Sequence, residues 1–155
     1  MLTNRTKYAI KSLLHLARHR GLGLCQAKAI AAEEHIPRKF LELILADLRL
    51  AGLIRSKAGN GGGHELARPP AEIPLLEIIR VIEGPAAPLP CLSRTAYARC
   101  ADCPDERACG TRRLLANIYQ TTFDQLSSTT LADGWSGDDD AGDAPTHLRL
   151  LTSPA

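Results

Sequence analysis

A chain of 155 residues with a net charge of +2 suits one compact domain with appendages and can bury a core without disulfides. No apolar run approaches the roughly 18 to 20 residues that span a bilayer, and Lys7, Lys11 and His15 interrupt the amino end where a signal peptide needs continuity; neither is expected, and the cytosol is the expected compartment. The charge is uneven, with twelve Lys and Arg against five Asp and Glu in residues 1–70 (+7) and seven against twelve in residues 71–155 (−5), so the front half is the one suited to a polyanion.

In chain order, Ile10, Leu13, Leu14 and Ala17 recur at amphipathic-helix spacing over residues 4–20, with Lys7, Lys11 and Arg18 on other faces and Gly21 and Gly23 following. A shorter helical piece runs from Gln26 to Glu34, His35-Ile36 makes a tight connection, and Pro37 takes a first helical position. From Pro37 to Ala51 the set Leu41, Ile44, Leu45 and Leu48 is again helical, and Gly52 stops it. Two helices joined by so short a turn match a helix-turn-helix. The second opens with Pro37-Arg38-Lys39-Phe40, setting two cations where helix amides point outward, the end with which a recognition helix meets DNA.

Leu53 to Lys57 reads as a strand, Ala58 to Gly63 as a glycine-rich loop and His64 to Ala67 as the returning strand, together a β-hairpin wing. The loop lacks the Lys-Ser/Thr and the following helix of a nucleotide cradle. Pro69-Pro70 closes the wing. Ile73 to Glu83 is a further helix with Leu75, Ile78, Ile79 and Ile82 on one face, ended by Gly84-Pro85.

Behind Pro85, Pro88 and Pro90 come Cys91, Cys100, Cys103 and Cys109, four of the five cysteines. In a cytosolic chain, where disulfides are rare, such a loop reads as metal binding or redox sensing, and it is the expected input of the protein. Thiolates ligate iron-sulfur clusters and zinc and act as redox switches. Only Cys100 and Cys103 form a short clip, whereas structural zinc sites commonly pair two. The short ligand spacing and flexible loop suit a solvent-accessible iron-sulfur cluster, two-iron or four-iron. A cluster-free thiol switch and zinc are the alternatives, with a small electron carrier behind them. No Ser-His-Asp set, paired carboxylates or nucleotide loop offers a catalytic centre, so no enzyme is expected. Cys25 is expected to be a packed thiol. His15 and His19 stand i, i+4 without an evident carboxylate or third ligand and are expected as a solvated or partly packed pair.

Arg112 to Leu131 is the longest helical pattern, with Leu115, Ile118, Tyr119, Thr122, Phe123 and Leu126 as its stripe. The simplest partner for that stripe is the same helix in a second copy, since helix-turn-helix proteins usually dimerise to span two half-sites. From Asp133 on, Gly, Asp and Pro dominate, and an acidic tail without a packed structure is expected. The organisation expected is mainly α with a small β-hairpin: a winged helix-turn-helix over 1–84, a cysteine-rich loop over 85–110, a dimerisation helix over 111–132 and a tail over 133–155.

With these parts in order, the chain resembles the Rrf-two type winged-helix transcription regulators, typified by the iron-sulfur assembly regulator, the nitric-oxide-sensitive repressor and the iron-responsive rhizobial regulator. The carrying stretches are Tyr8 to Leu14, Phe40-Leu41-Glu42 with Leu45 to Leu53, Gly61 to Pro69, Val81 to Pro85 and Thr129 to Asp133. The resemblance implies a homodimeric regulator of a double-stranded DNA operator, with Cys91, Cys103 and Cys109 as cluster ligands and a fourth ligand that varies between members. Cys100 is additional and a candidate for that fourth place, while Lys7 stands near where some relatives carry an acidic ligand. In the wing, relatives place an arginine where Ala58 stands. That leaves Arg55, Lys57 and Asn60, with Gly61 and Gly62, beside Arg38, Lys39 and Phe40 as the DNA-contact candidates. His64 replaces a common tyrosine, to touch phosphate or to pack, and Leu43 replaces a base-reading glutamine. Backbone contacts from Lys and Arg supply most of the affinity, so DNA binding as a class is expected to survive these departures.

Overall fold

The computed structural model describes residues 2–134; of the expected acidic tail, all but Asp133 and Gly134 lies outside the described residues. Helix α1 spans Asn4–Arg18, capped by Thr3, whose hydroxyl accepts from the Thr6 amide. It is shorter than the pattern suggested because the chain turns away through Gly21 and Gly23, both at positive φ. Helices α2 (Ala27–Glu33) and α3 (Arg38–Leu50) follow. Between them His35 adopts φ 55, the left-handed conformation that reverses the chain in so short a turn. Pro37 is the cap of α3 rather than its first helical residue, since its ψ of 123 is extended.

Strands β1 (Ile54–Lys57) and β2 (Gly63–Leu66) pair antiparallel, Ile54 opposite Leu66 and Lys57 opposite Gly63. A 3-10 turn at Pro70–Glu72 leads into α4 (Leu75–Glu83). Helix α4 buries Leu76 with Ile78, Ile79 and Ile82, so Leu75 sits at the edge of the face and not in it. The Leu75 amide is drawn instead to Thr129 O at 2.8 Å. After a 3-10 turn at Pro90–Leu92 and the cysteine loop comes α5 (Gly110–Ser128), then a closing 3-10 turn at Leu131–Gly134.

One core joins these pieces. Leu13 and Leu16 of α1, Ile30 of α2, Leu41, Ile44 and Leu48 of α3, Leu53 and Ile54 at the wing root, and Ile73 and Ile78 around α4 are all fully buried. Helix α5 stands outside it and buries none of its residues. It lies along α4, with Arg80 over the Phe123 ring at 5.3 Å. Its carboxyl end is tied back to the core, where Leu131 is buried and its amide bonds Ile73 O at 2.9 Å. No helix among the described residues is long and apolar enough to cross a membrane.

Candidate functional site: a nucleic-acid interface and a thiol loop

The first turn of α3 presents Arg38, Lys39 and Phe40 on the outside. Pro37 offers no side-chain cap and its carbonyl takes the Phe40 amide at 3.0 Å, which leaves the Arg38 and Lys39 amides pointing outward. Arg38 Nε donates to Glu42 Oε1 at 2.9 Å, the i, i+4 pair that holds its guanidinium along the helix. Phe40 meets the Tyr8 ring edge-on at 5.8 Å, so it braces this end of α3 against α1. Lys39, Arg55 and Lys57 make no ion pair among the described residues, although Glu65 stands opposite Arg55 across the hairpin.

The wing loop is shaped by backbone. Gly59 and Gly61 have positive φ, and the Gly62 amide bonds Gly59 O at 2.9 Å. A Cβ on Gly62 would come 2.2 Å from Lys57 O. Gly61 and Gly62 thus form the turn that carries Asn60 outward beside Lys57. His64, expected to touch phosphate or to pack, is half-buried against the hairpin and α3. Its Nδ1 lies 2.8 Å from Ser56 Oγ across the hairpin, in a cleft lined by Glu42, Leu45, Ala46 and Arg49 of α3. Burial first, then Arg49, pushes its pKa below the ordinary histidine value.

The wing has a third, short partner. Cys25, just ahead of α2, exchanges both backbone bonds with His64, Cys25 N to His64 O at 2.9 Å and His64 N to Cys25 O at 2.8 Å. Cys25 is half-buried, and burial with Glu33 nearby pushes its thiol up. Of the expected solvated or partly packed pair, His19 is half-buried and His15 is fully buried, stacked on His19, with Glu33 and Glu34 oxygens at 3.6 and 3.4 Å. Burial lowers its pKa first and His19 next, against the two glutamates that raise it. The carboxylates and third ligand missing from the local sequence are brought there by the fold, since α2 sets Glu33 and Glu34 against α1 and the glycine loop returns Cys25. Only tertiary packing makes this cluster, and no spacing signals it.

The cysteine loop gathers its thiols beside the amino end of α5. Cys91 is buried in its 3-10 turn; Cys100, Cys103 and Cys109 are half-buried, and all are free thiols. Cys109 caps α5, its sulfur accepting from the Arg112 amide at 3.4 Å. That bond lowers the Cys109 pKa, as expected of a thiol at a helix amino end. Cys103 Sγ donates to Cys109 Sγ at 3.9 Å, which pushes the Cys103 thiol up. The Cys100 thiol, bonded first of all to Cys91, is pushed up to about 11. Ligand atoms of Cys100, Asp102 and Cys103 lie within 4.8 Å of one another, a carboxylate that the cysteine pattern did not single out. Tyr97 donates to Glu106 at 2.9 Å and Arg112 pairs with Glu106 at 3.1 Å. Arg94 lies over the Phe123 ring at 4.3 Å and fixes the loop to α5. Four free thiols on one loop, linked pairwise as Cys91 with Cys100, Cys100 with Cys103 and Cys103 with Cys109, suit a thiolate-ligated cluster or metal.

A helix-turn-helix whose second helix leads with cations, backed by a two-stranded wing on the same core, defines a winged-helix transcription regulator rather than an enzyme. The family Rrf2, described as an iron-dependent transcriptional regulator, matches residues 2–134. An rrf2-like HTH-type regulator of Rhodobacter capsulatus is 43% identical over 136 residues, 86% of this chain and 91% of that one. The chain belongs to the Rrf2 family, as its resemblance in sequence implied. Its fold is similar to that of CymR, the global cysteine regulator of B. subtilis, with TM-score 0.73, 32% identity and coverage of 90% of this chain and 98% of that one. T. potens IscR superposes with TM-score 0.70 at 28% identity, covering 96% of each chain.

Proposed function

We propose that this chain is a cytoplasmic homodimeric repressor that reads redox state, nitric oxide or iron status through an iron-sulfur cluster held by Cys91, Cys103 and Cys109, with Cys100 as the fourth ligand. The observation that carries the reading is four free thiols on one loop, with Cys103 Sγ 3.9 Å from Cys109 Sγ and within 4.8 Å of Cys100 Sγ. When bound, the cluster supplies a centre that oxygen or nitric oxide can alter. The chain's own residues do the rest. Arg38 and Lys39 enter the major groove, Phe40 braces their helix, and Arg55, Lys57 and Asn60 lie along the neighbouring backbone with Gly61 and Gly62 shaping the loop. Helix α5 exposes Leu114 at 74% and Ile118 at 66%, an apolar edge that a second copy covers. Ordering of residues 91–109 sets the start of α5, and a coupling of about 1–3 kcal/mol is about a 5- to 150-fold change in operator affinity.

The test is an absorption spectrum with iron and sulfide analysis on protein purified without oxygen, followed by operator binding before and after oxidant. Cys103→Ala should abolish the chromophore and uncouple DNA binding from oxidant. A variant that keeps its spectrum and its response overturns the reading. A second reading has its own observation, the lowered Cys109 thiol accepting from Cys103 at 3.9 Å, which suits a thiol-disulfide switch. A colourless protein whose oxidant response still needs Cys103 and Cys109 favours that switch.

A further inference from the structure

We propose that His15, His19 and Cys25 form a metal site separate from the cysteine loop, for a borderline-soft divalent cation of the Zn2+ class, closed by the Glu33 carboxylate. Nitrogen and thiolate donors with one carboxylate make the set this class of ion takes. The two histidines stand on one face of α1, their rings stacked with centroids 4.3 Å apart. The loop after α1 returns Cys25 to that face, and one donor atom from each residue lies within 4.8 Å of the other two.

Two further observations point to a ligand. His19 Nδ1 lies 2.9 Å from His15 O; a carbonyl only accepts, so Nδ1 carries the proton and the Nε2 lone pair stays open, the backbone-anchored state common in metal-bound histidine. His15 is 1% exposed, and its Nδ1 is buried without a well-formed hydrogen bond, facing Glu34 at 3.4 Å and Glu33 at 3.6 Å. Glu34, the other carboxylate nearby, is already taken by Arg18 and Lys11. Glu33, with 58% of its side chain exposed, is the one able to swing in. These groups line one cleft with Gly23.

Tetrahedral bonds to nitrogen and sulfur set neighbouring donors about 3.5 Å apart, so the ligands must draw together. The chain between them can move: Gly21 and Gly23 are exposed, and nothing stands within 4 Å of where their Cβ atoms would be. The backbone of Cys25 is paired with His64 of the wing. An ion here therefore joins the end of α1, the entry to α2 and the wing root. Its consequence for DNA binding rests on the function proposed above; the site itself does not.

Co2+ is the probe, titrated into the full chain with Cys91, Cys100, Cys103 and Cys109 replaced by Ser, so that the loop cannot take it. One Co2+ per chain with a thiolate-to-cobalt charge-transfer band is expected. At free Co2+ 100-fold above its dissociation constant the folded-to-unfolded ratio should rise about 100-fold, read as a higher melting temperature. Adding Cys25→Ser should remove the band, and adding His19→Gln should remove the rise in melting temperature. A band that never forms, or that survives Cys25→Ser, overturns the site. Should the four-serine chain not melt cooperatively, the unsubstituted apo chain must lose one equivalent of bound Co2+ on Cys25→Ser, and no loss refutes the proposal. Cluster loading is measured on the loop cysteines, so failure here leaves the redox reading standing.

Discussion

Replacing Gly63 with Ala tests how the wing is held to the helix-turn-helix. A Cβ at this position lies 2.6 Å from Cys25 O and 2.9 Å from Cys25 C, with Leu24 Cβ at 3.1 Å. The nearest obstacles are backbone, so no rotamer change relieves them. The Cys25 strip must move away, and with it go the two bonds to His64, now 2.9 and 2.8 Å. Each bond is worth about 1 kcal/mol net, and forcing a methyl into packed backbone costs about 1–3 kcal/mol. A loss of about 3–5 kcal/mol is therefore expected, large against the roughly 5–15 kcal/mol of a typical domain. Urea denaturation of both chains reads it as a lower midpoint at unchanged slope. Gly61→Ala is the control: it meets nothing within 4 Å but forces a side chain to φ +79, a cost of about 1–2 kcal/mol. If Gly63→Ala is no more destabilising than Gly61→Ala, the Cys25–His64 bridge does not hold the wing and the reasoning fails.

Lys39→Ala should weaken operator binding and reduce the slope of log affinity against log salt by about 0.9 per chain; an unchanged slope in a salt titration removes Lys39 from the interface. Ile118→Asp places a charge on the exposed edge of α5 and should convert the proposed dimer to monomer in analytical ultracentrifugation, whereas a dimer that persists places the contact elsewhere. Glu83 accepts from the Thr3 hydroxyl at 2.5 Å, from the Thr6 hydroxyl and from the Thr3 amide at 3.0 Å, which hold its carboxyl below the ordinary value of 4.5. The unfolded chain binds that proton first, so the stability Glu83 adds is complete above the ordinary value and is lost as pH falls through the lower folded one. Melting curves of the parent and Glu83→Gln should separate at neutral pH and converge in acid; a constant gap refutes the assignment.

The helices and the wing were legible because each is written in local periodicity and punctuation. Leu41, Ile44, Leu45 and Leu48 repeat at helical spacing and are all buried, and glycine and proline mark the ends. What the pattern missed is set by partners distant in sequence. Leu75 looked like a core position, but its amide is held by Thr129 across the fold and Leu76 faces inward instead. In α5, Leu115, Tyr119, Phe123 and Leu126 are half-buried, while Ile118 of the same stripe faces outward. One apolar pattern there covers two faces, which a single stripe conceals. The cations of α3 and the thiol loop were visible as composition. Glu33 and Glu34 beside His15 were not, because only folding brings the end of α2 and its cap to the side chains of α1.

The two ends of α5 are held in different ways, and this bears on how the loop can act on the head. At the carboxyl end Thr129 O accepts from Leu75 N, Leu131 N bonds Ile73 O, and Asp133 accepts from the Thr130 amide and hydroxyl at 2.6 and 2.9 Å. These bonds join it to the start of α4 and to the core. At the amino end the cap is the Cys109 sulfur itself, supported by Arg112 with Glu106 and by Arg94 over Phe123. One end belongs to the DNA-binding head and the other to the thiols. Under the function proposed above, a change in what Cys109 binds would remove or replace the cap of α5 while the bonds at its far end remain, and so would convert a chemical event on sulfur into a tilt of the helix proposed to carry the second copy. Cap loss at a helix amino end is worth about 0.5–2 kcal/mol. That is within the range an allosteric coupling needs, so the loop requires no larger rearrangement to alter the spacing of two heads on DNA.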